Sequence, residues 1–194
     1  MVEKLYDWMM RQAESKNAVK VLLFVSFIES SFFPLPPDPV LAIVVAKNKN
    51  KAMCYATMCA LASVIGGFLG YYIGYAFFEL IGSKILVFYG QMDKFESMVK
   101  TLNDWAFWII CAKGLTPIPY KIVTIASGFA KIDLMTFTVA SMICRTTRFL
   151  ALAWIFQKFG SMILEFLEKH KKLTIFLIVA TVILGFVAVK FAIK

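Results

Sequence analysis

Charge is scarce in this sequence. Lys, Arg, Asp and Glu together make up 17% of its 194 residues, against about 25% in soluble domains. Histidine is nearly missing: His170 is the only one, and it stands in a charged stretch. The four cysteines (Cys54, Cys59, Cys111 and Cys144) all lie in apolar stretches, and no two form a Cys-x-x-Cys pair. These shortages leave no donor set for zinc or an iron–sulfur cluster, so no metal and no cofactor is expected. The thiols read instead as small hydrophobes. A cleavable signal is lacking too, since residues 1–16 are charged and amphipathic with no apolar core.

What is plentiful is apolar: hydrophobic residues reach 60%, and 19 of the residues are Phe. A soluble enzyme and a disordered binding module both fit this poorly. The composition indicates an all-α integral membrane protein. The net charge of +9 comes from 21 basic residues against 12 acidic ones. It fits basic cytoplasmic loops plus cations held within the membrane. The basic residues lack the one-faced clustering with interleaved aromatics of a nucleic-acid surface, so no nucleic-acid partner is expected.

The chain reads as one membrane domain over residues 1–194. Residues 2–16 form an amphipathic helix suited to lying in the interface. Residues 18–47 are apolar but broken by four prolines in six residues, among them Pro34, Pro36 and Pro37. The arms on either side of the break are shorter than the roughly 20 residues that span lipid. The expected element is a re-entrant hairpin, with its tip buried in protein or facing a wet cavity. Residues 52–82 hold a full span whose first 27 residues are uncharged, and Gly66, Gly70 and Gly74 form a small-residue stripe along it. Such a stripe admits a second helix closely, from this chain or from another copy in a homo-oligomer. An interfacial segment is expected at residues 84–103. A second broken hairpin follows at 105–131, interrupted around Pro117 and Pro119. Further spans are expected at 134–157 and 173–193, with a cytoplasmic basic loop between them.

Shifting the sequence by 83 residues places Pro34 on Pro117, Pro36 on Pro119, Asp38 on Lys121 and Ala52 on Met135. Broken hairpin followed by full helix thus occurs twice. One full helix separates the hairpins, so they enter from opposite faces. This is the inverted repeat that many secondary transporters use to build a site near the midplane.

Glu29, Asp38, Lys113, Lys121, Arg145 and Arg148 lie in or beside apolar stretches. A charge at mid-bilayer costs at least about 2.5–3.5 kcal/mol, so these residues must meet one another, water or a ligand. Arg145 is 11 residues from both Leu134 and Phe156, too deep to reach either end. The surplus of cations favours an anion, and the arginine fork matches phosphate. Lys113, Thr116, Lys121, Arg145 and Arg148 are the candidate substrate-binding residues. Glu29 and Asp38 are the candidates for proton coupling, since a carboxyl group withdrawn from water holds its proton more readily. A structural ion pair is the other reading of Glu29, and plain helix-end charges the other reading of Asp38 and Lys121.

Three motifs together, Glu29-Ser-Ser-Phe-Phe-Pro34-Leu-Pro36-Pro37-Asp38, Gly66-Gly67-x-x-Gly70-Tyr71-x-x-Gly74 and Gly114-Leu-Thr116-Pro117-Ile-Pro119-Tyr120-Lys121, closely resemble the DedA family. This is also called the VTT or SNARE-associated Golgi protein family, and its YqaA-like branch is the nearest in pattern. The resemblance implies a multi-pass bacterial inner-membrane protein with two opposed re-entrant hairpins and about three full transmembrane helices. It implies movement of lipids across the membrane, undecaprenyl phosphate in particular, with dependence on the proton-motive force. The family's acidic positions fall on Glu29 and Asp38. Its second-hairpin arginines have no counterpart, and Lys113 and Lys121 stand one residue away from those places.

The function these features point to is a flippase- or scramblase-like transporter of a phosphate-bearing lipid, coupled to protons. The rival is a proton-coupled small-molecule or ion antiporter, in which the acids act and the arginines are structural. An enzyme such as a lipid phosphatase is not expected, because no nucleophile–base pair or metal cluster is legible.

Overall fold

A computed structural model describes residues 11–12, 15–31, 36–115 and 120–169. Among these residues the secondary structure is entirely helical, with no strand. Seven α-helices succeed one another: α1 (Ala18–Ser31), α2 (Asp38–Lys47), α3 (Ala52–Phe77), α4 (Ser83–Phe88), α5 (Met92–Leu115), α6 (Tyr120–Phe129) and α7 (Leu134–Lys169). The expected helix at 2–16 is described only at its last residues. Pro34, Thr116, Pro117, Pro119 and the span expected at 173–193 lie outside the described residues.

Local chemistry sets the ends. Pro37 occupies the position before α2, and Pro39 sits inside its first turn. A proline there forfeits only an N–H that has no helical partner anyway. The second arm therefore begins at Asp38, within the proline run itself. Asp38 in the first turn and Lys47 in the last both suit the helix dipole. At Asn48 the N–H closes onto the Val44 and Val45 carbonyls, and a 3₁₀ turn (Lys49–Lys51) leads into α3. A π turn at Phe78–Gly82 joins α3 to α4, so one helical run extends over Lys49–Phe88, 40 residues.

Two expected boundaries are corrected. The interfacial segment at 84–103 and the hairpin arm from 105 are not separate, because α5 runs unbroken from Met92 to Leu115. The break lies earlier, at Gly90, whose φ of 61° ends α4. Asp93, Lys94, Glu96 and Lys100 dilute the apolar pattern without interrupting a helix. The span expected to end at 157 likewise continues to Lys169 as one helix of 36 residues. Lys158, Glu165 and Glu168 end the apolar character, but Lys and Glu are good helix formers.

α3 and α7 cross at the centre, and the shorter helices pack on them in exchanged fashion. α1 and α6 lie on α3, while α5 and α2 lie on α7. Under the 83-residue shift α1 corresponds to part of α5, α2 to α6 and α3 to α7. The first arm of each half thus rests on its own long helix, and the second arm rests on that of the other half. The glycine stripe makes the first of these seats possible. A Cβ at Gly66 would collide with the Phe27 backbone of α1, and one at Gly74 with the Ile125 backbone of α6. The stripe is therefore filled by helices of the same chain and leaves no room there for a second copy.

Two apolar clusters flank the crossing. Leu22, Val25, Val40, Leu41, Phe149 and Ala153 form one; Ala106, Ile110, Val123, Phe137 and Ala140 belong to the other. Among the described residues, two helical stretches are long and apolar enough to cross a membrane by length and composition, Lys49–Phe88 and Leu134–Gly160.

Candidate functional site

Between the two clusters lies a polar seam. Ser26, Ser30, Ser63, Thr124, Ser141 and Arg145 are all buried, although they stand on helices that are otherwise apolar. At the crossing of α3 and α7, Arg145 is fully enclosed. Its Nε–H donates to Ser63 Oγ at 2.5 Å, and its Nη2 donates to Glu29 Oε2 at 3.0 Å. The rings of Tyr120 and Phe149 lie 4.6 and 4.7 Å from its Cζ. Such cation–π contacts are strongest where water is excluded. Nη1 is buried and has no hydrogen-bond partner.

Hydroxyls of α1, α3 and α6 interlock around Arg145. Ser63 accepts from Arg145 and lies 2.6 Å from Ser30 Oγ, and Ser30 in turn donates to the Ser26 carbonyl at 2.9 Å. Ser26 Oγ–H then donates to the Cys59 carbonyl at 2.8 Å. Thr124 Oγ–H reaches the Lys121 carbonyl at 2.9 Å and the Ser30 carbonyl at 3.2 Å, which ties α6 to α1. These bonds satisfy hydroxyls that would otherwise carry a desolvation cost of about 1–3 kcal/mol each. Near Arg145, Tyr120 Oη and Ser141 Oγ are buried and face each other, with no other hydrogen-bond partner among the described residues.

One turn further along α7, Arg148 Nη2 donates to Asp38 Oδ2 at 2.7 Å. This second pair is more open, with the side chains of Arg148 and Asp38 33% and 29% exposed. Asp38 Oδ1 is buried and unpaired. Lys121, in the first turn of α6, is buried and makes no ion pair among the described residues.

The structure thus joins four of the seven residues singled out from the sequence into two ion pairs, Glu29–Arg145 and Asp38–Arg148. The pairing at Glu29 is the ion pair given as the other reading of that residue. Each acid is the counter-ion of an arginine. Lys121 joins neither pair, and the Lys113 side chain and Thr116 lie outside the described residues. Sequence reasoning missed Ser30, Ser63, Tyr120, Ser141 and Phe149 as parts of the site. Hydroxyl side chains in the uncharged stretch were the available signal, Ser63 above all.

No protein-family model matches the chain, and no solved structure matches it. An uncharacterized protein of Haemophilus influenzae is 32% identical to it over 168 residues, 84% of this chain and 87% of the relative. The chain belongs to that protein's family. An uncharacterized protein of Histophilus somni matches it at 38% identity over 169 residues, again 84% of this chain and 87% of the relative.

Proposed function

We propose that this chain is a multi-pass carrier in the bacterial inner membrane that moves a phosphate-bearing lipid across the bilayer with the help of protons. The observation that carries this reading is Arg145, a guanidinium with no solvent exposure in the middle of a membrane-length helix. Holding a charge there is costly unless it serves a ligand or a charge movement. An arginine with a spare donor suits a phosphate oxygen. The membrane reading draws on the outward faces of the long helices, where Leu61, Ile65, Tyr72, Ile143 and Trp154 are exposed. Contiguous apolar surface of this kind is rare on soluble monomers.

The finer architecture is proposed on the same footing. α1 has 14 residues and α2 has 10, too few to cross lipid singly. With one membrane-length run between the two broken segments, they enter from opposite sides as re-entrant hairpins, and the halves form an inverted repeat. The resemblance of the three motifs to the DedA family supports both the fold and the lipid substrate, with undecaprenyl phosphate as the first to try. The antiporter remains a second reading for one specific reason: both arginines already have carboxylate partners within the protein.

The test is transport by the purified protein in proteoliposomes. Polyprenyl phosphate is compared with ordinary phospholipid, and lumenal pH is followed by a trapped dye. The carrier reading expects selective movement of polyprenyl phosphate that Arg145→Ala abolishes. Equal movement of every lipid would make the protein a scramblase. Proton flux against a cation gradient with no lipid movement would replace the carrier with the antiporter.

A further inference from the structure

The Glu29–Arg145 pair is neutral, but its two members differ in access. The Arg145 side chain is sealed, whereas 12% of the Glu29 side chain is exposed. Arg145 also does not depend on Glu29 for its place. Ser63 holds Nε, and the Tyr120 and Phe149 rings lie against the guanidinium. Nη1 remains as a buried donor with nothing to donate to.

An anion reaching this point would put two negative charges on one guanidinium, in surroundings where a surplus charge is heavily penalised. We propose that the anion instead replaces Glu29. It engages Arg145 first through Nη1, and Glu29 leaves the pair as a neutral carboxylic acid. The carboxylate takes one proton from water, no other covalent bond changes, and the net charge of the site is the same before and after. This inference rests on the carrier reading and deepens it. It sets the coupling at one proton per anion bound. It also makes Ser63, Tyr120 and Phe149 the positioning residues that keep Arg145 still while its counter-ion is exchanged.

The surroundings of Glu29 favour the exchange. The groups facing it are Arg145 and Arg148 from α7, Lys121 and Tyr120 from α6, and Ser63 and Cys59 from α3, with Ser30 beside it on α1. Among these described residues the charged ones are cations. Arg148 is taken by Asp38 of α2, and Lys121 has no ion pair among the described residues. Once Glu29 is protonated, the seam carries a net positive charge that only an anion offsets.

The experiment measures binding to the full chain in lipid nanodiscs between pH 5 and 8, by calorimetry in two buffers of different ionisation enthalpy. The probes are farnesyl monophosphate, geranyl sulfate and inorganic phosphate. Geranyl sulfate takes up no proton of its own, so the wild type is expected to take up one proton per molecule bound. Because one proton is taken up with each molecule, affinity for geranyl sulfate should fall as pH rises, by at most about tenfold per pH unit. With farnesyl monophosphate, the wild type should take up one proton more than Glu29→Gln, because the probe's own titration cancels in the difference. Tyr120→Leu should bind at least tenfold more weakly with the proton number unchanged, and the conservative Tyr120→Phe, which keeps the ring, should recover most of that loss. Preference for the prenyl probes would assign a lipid headgroup, and equal binding of inorganic phosphate would assign a free anion. Binding without proton uptake, or with the same uptake in Glu29→Gln, overturns the exchange and leaves the carrier reading standing. No binding of any probe overturns both.

Discussion

At the scale of single residues, the site turns on what happens when one member of a pair is lost. Removing Glu29 or Arg145 alone leaves a buried charge without its partner, which typically costs about 3–5 kcal/mol. Glu29→Gln and Arg145→Gln are each expected to lower the thermal transition of the detergent-purified protein. The double variant should recover most of that loss, because the seam is then neutral again; a double variant no more stable than either single one would mean that the pair is not what holds these helices together. The Asp38–Arg148 pair is a third exposed and should show a smaller version of the same pattern. Outside the spans, Asp133 accepts from the Thr136 N–H at 2.7 Å and from its hydroxyl at 2.9 Å at the head of α7. The N–H bond, and then the hydroxyl bond, hold its carboxyl below the usual carboxylate range. Its stabilising effect is therefore complete above the ordinary range and lost as pH falls through the lowered value. Asp133→Asn should lower the thermal transition at neutral pH and flatten its fall toward acid, where variant and wild type converge. The ionisable residues were visible in the sequence because each interrupts an apolar stretch. Their pairing was not, because the partners stand 116 and 110 residues apart, and serine in an apolar helix is too ordinary to announce a role.

At the scale of elements, the glycines decide how closely the helices approach. At Gly66 and Gly74 an added Cβ would run into backbone, which cannot turn aside as a side chain can. Gly66→Ala and Gly74→Ala are each expected to cost about 1–3 kcal/mol through overpacking. At Gly67 the added atom would meet the Tyr120 hydroxyl at 3.3 Å and the Thr124 methyl at 3.4 Å, so the same change there should be milder. Gly90 has open space around it but a positive φ, so Gly90→Ala should cost about 1 kcal/mol from the backbone alone. Thermal transitions of the four variants would rank them, and equal losses at all four would contradict the packing described. The stripe itself was legible from its spacing of four. Its occupants were not, since spacing says that something approaches closely and not what. Helix ends were the least legible feature. Hydropathy marks where lipid-like character stops, at about residue 157, whereas helix propensity carries the same helix on to Lys169.

At the scale of the whole molecule, the 83-residue correspondence was legible from prolines and element order, while the exchange of seats appears only in three dimensions. The two halves have different charges at matching places. Asp38 corresponds to Lys121, and Arg145 and Arg148 correspond to Ala62 and Ile65. The first hairpin thus carries the acids, and the second long helix carries the arginines that answer them. Cutting the chain at the exposed turn around Gly90 should give two fragments, neither of which folds alone. Co-expressed, they should associate, copurify and show a single thermal transition. A stable N-terminal fragment would show that α2 does not need α7.

That exchange of seats has a consequence for how the chain is made. Glu29 and Asp38 leave the ribosome early, and their arginines follow more than a hundred residues later. At about 5–20 residues per second the wait is on the order of ten seconds. During that time α2 has no surface to rest on, and two carboxyl groups at the mouth of a nascent hairpin have no counter-ion. On the proposed membrane reading, the first hairpin waits near the headgroups until α7 arrives, and the arrival of Arg145 and Arg148 is the step that lets it sink.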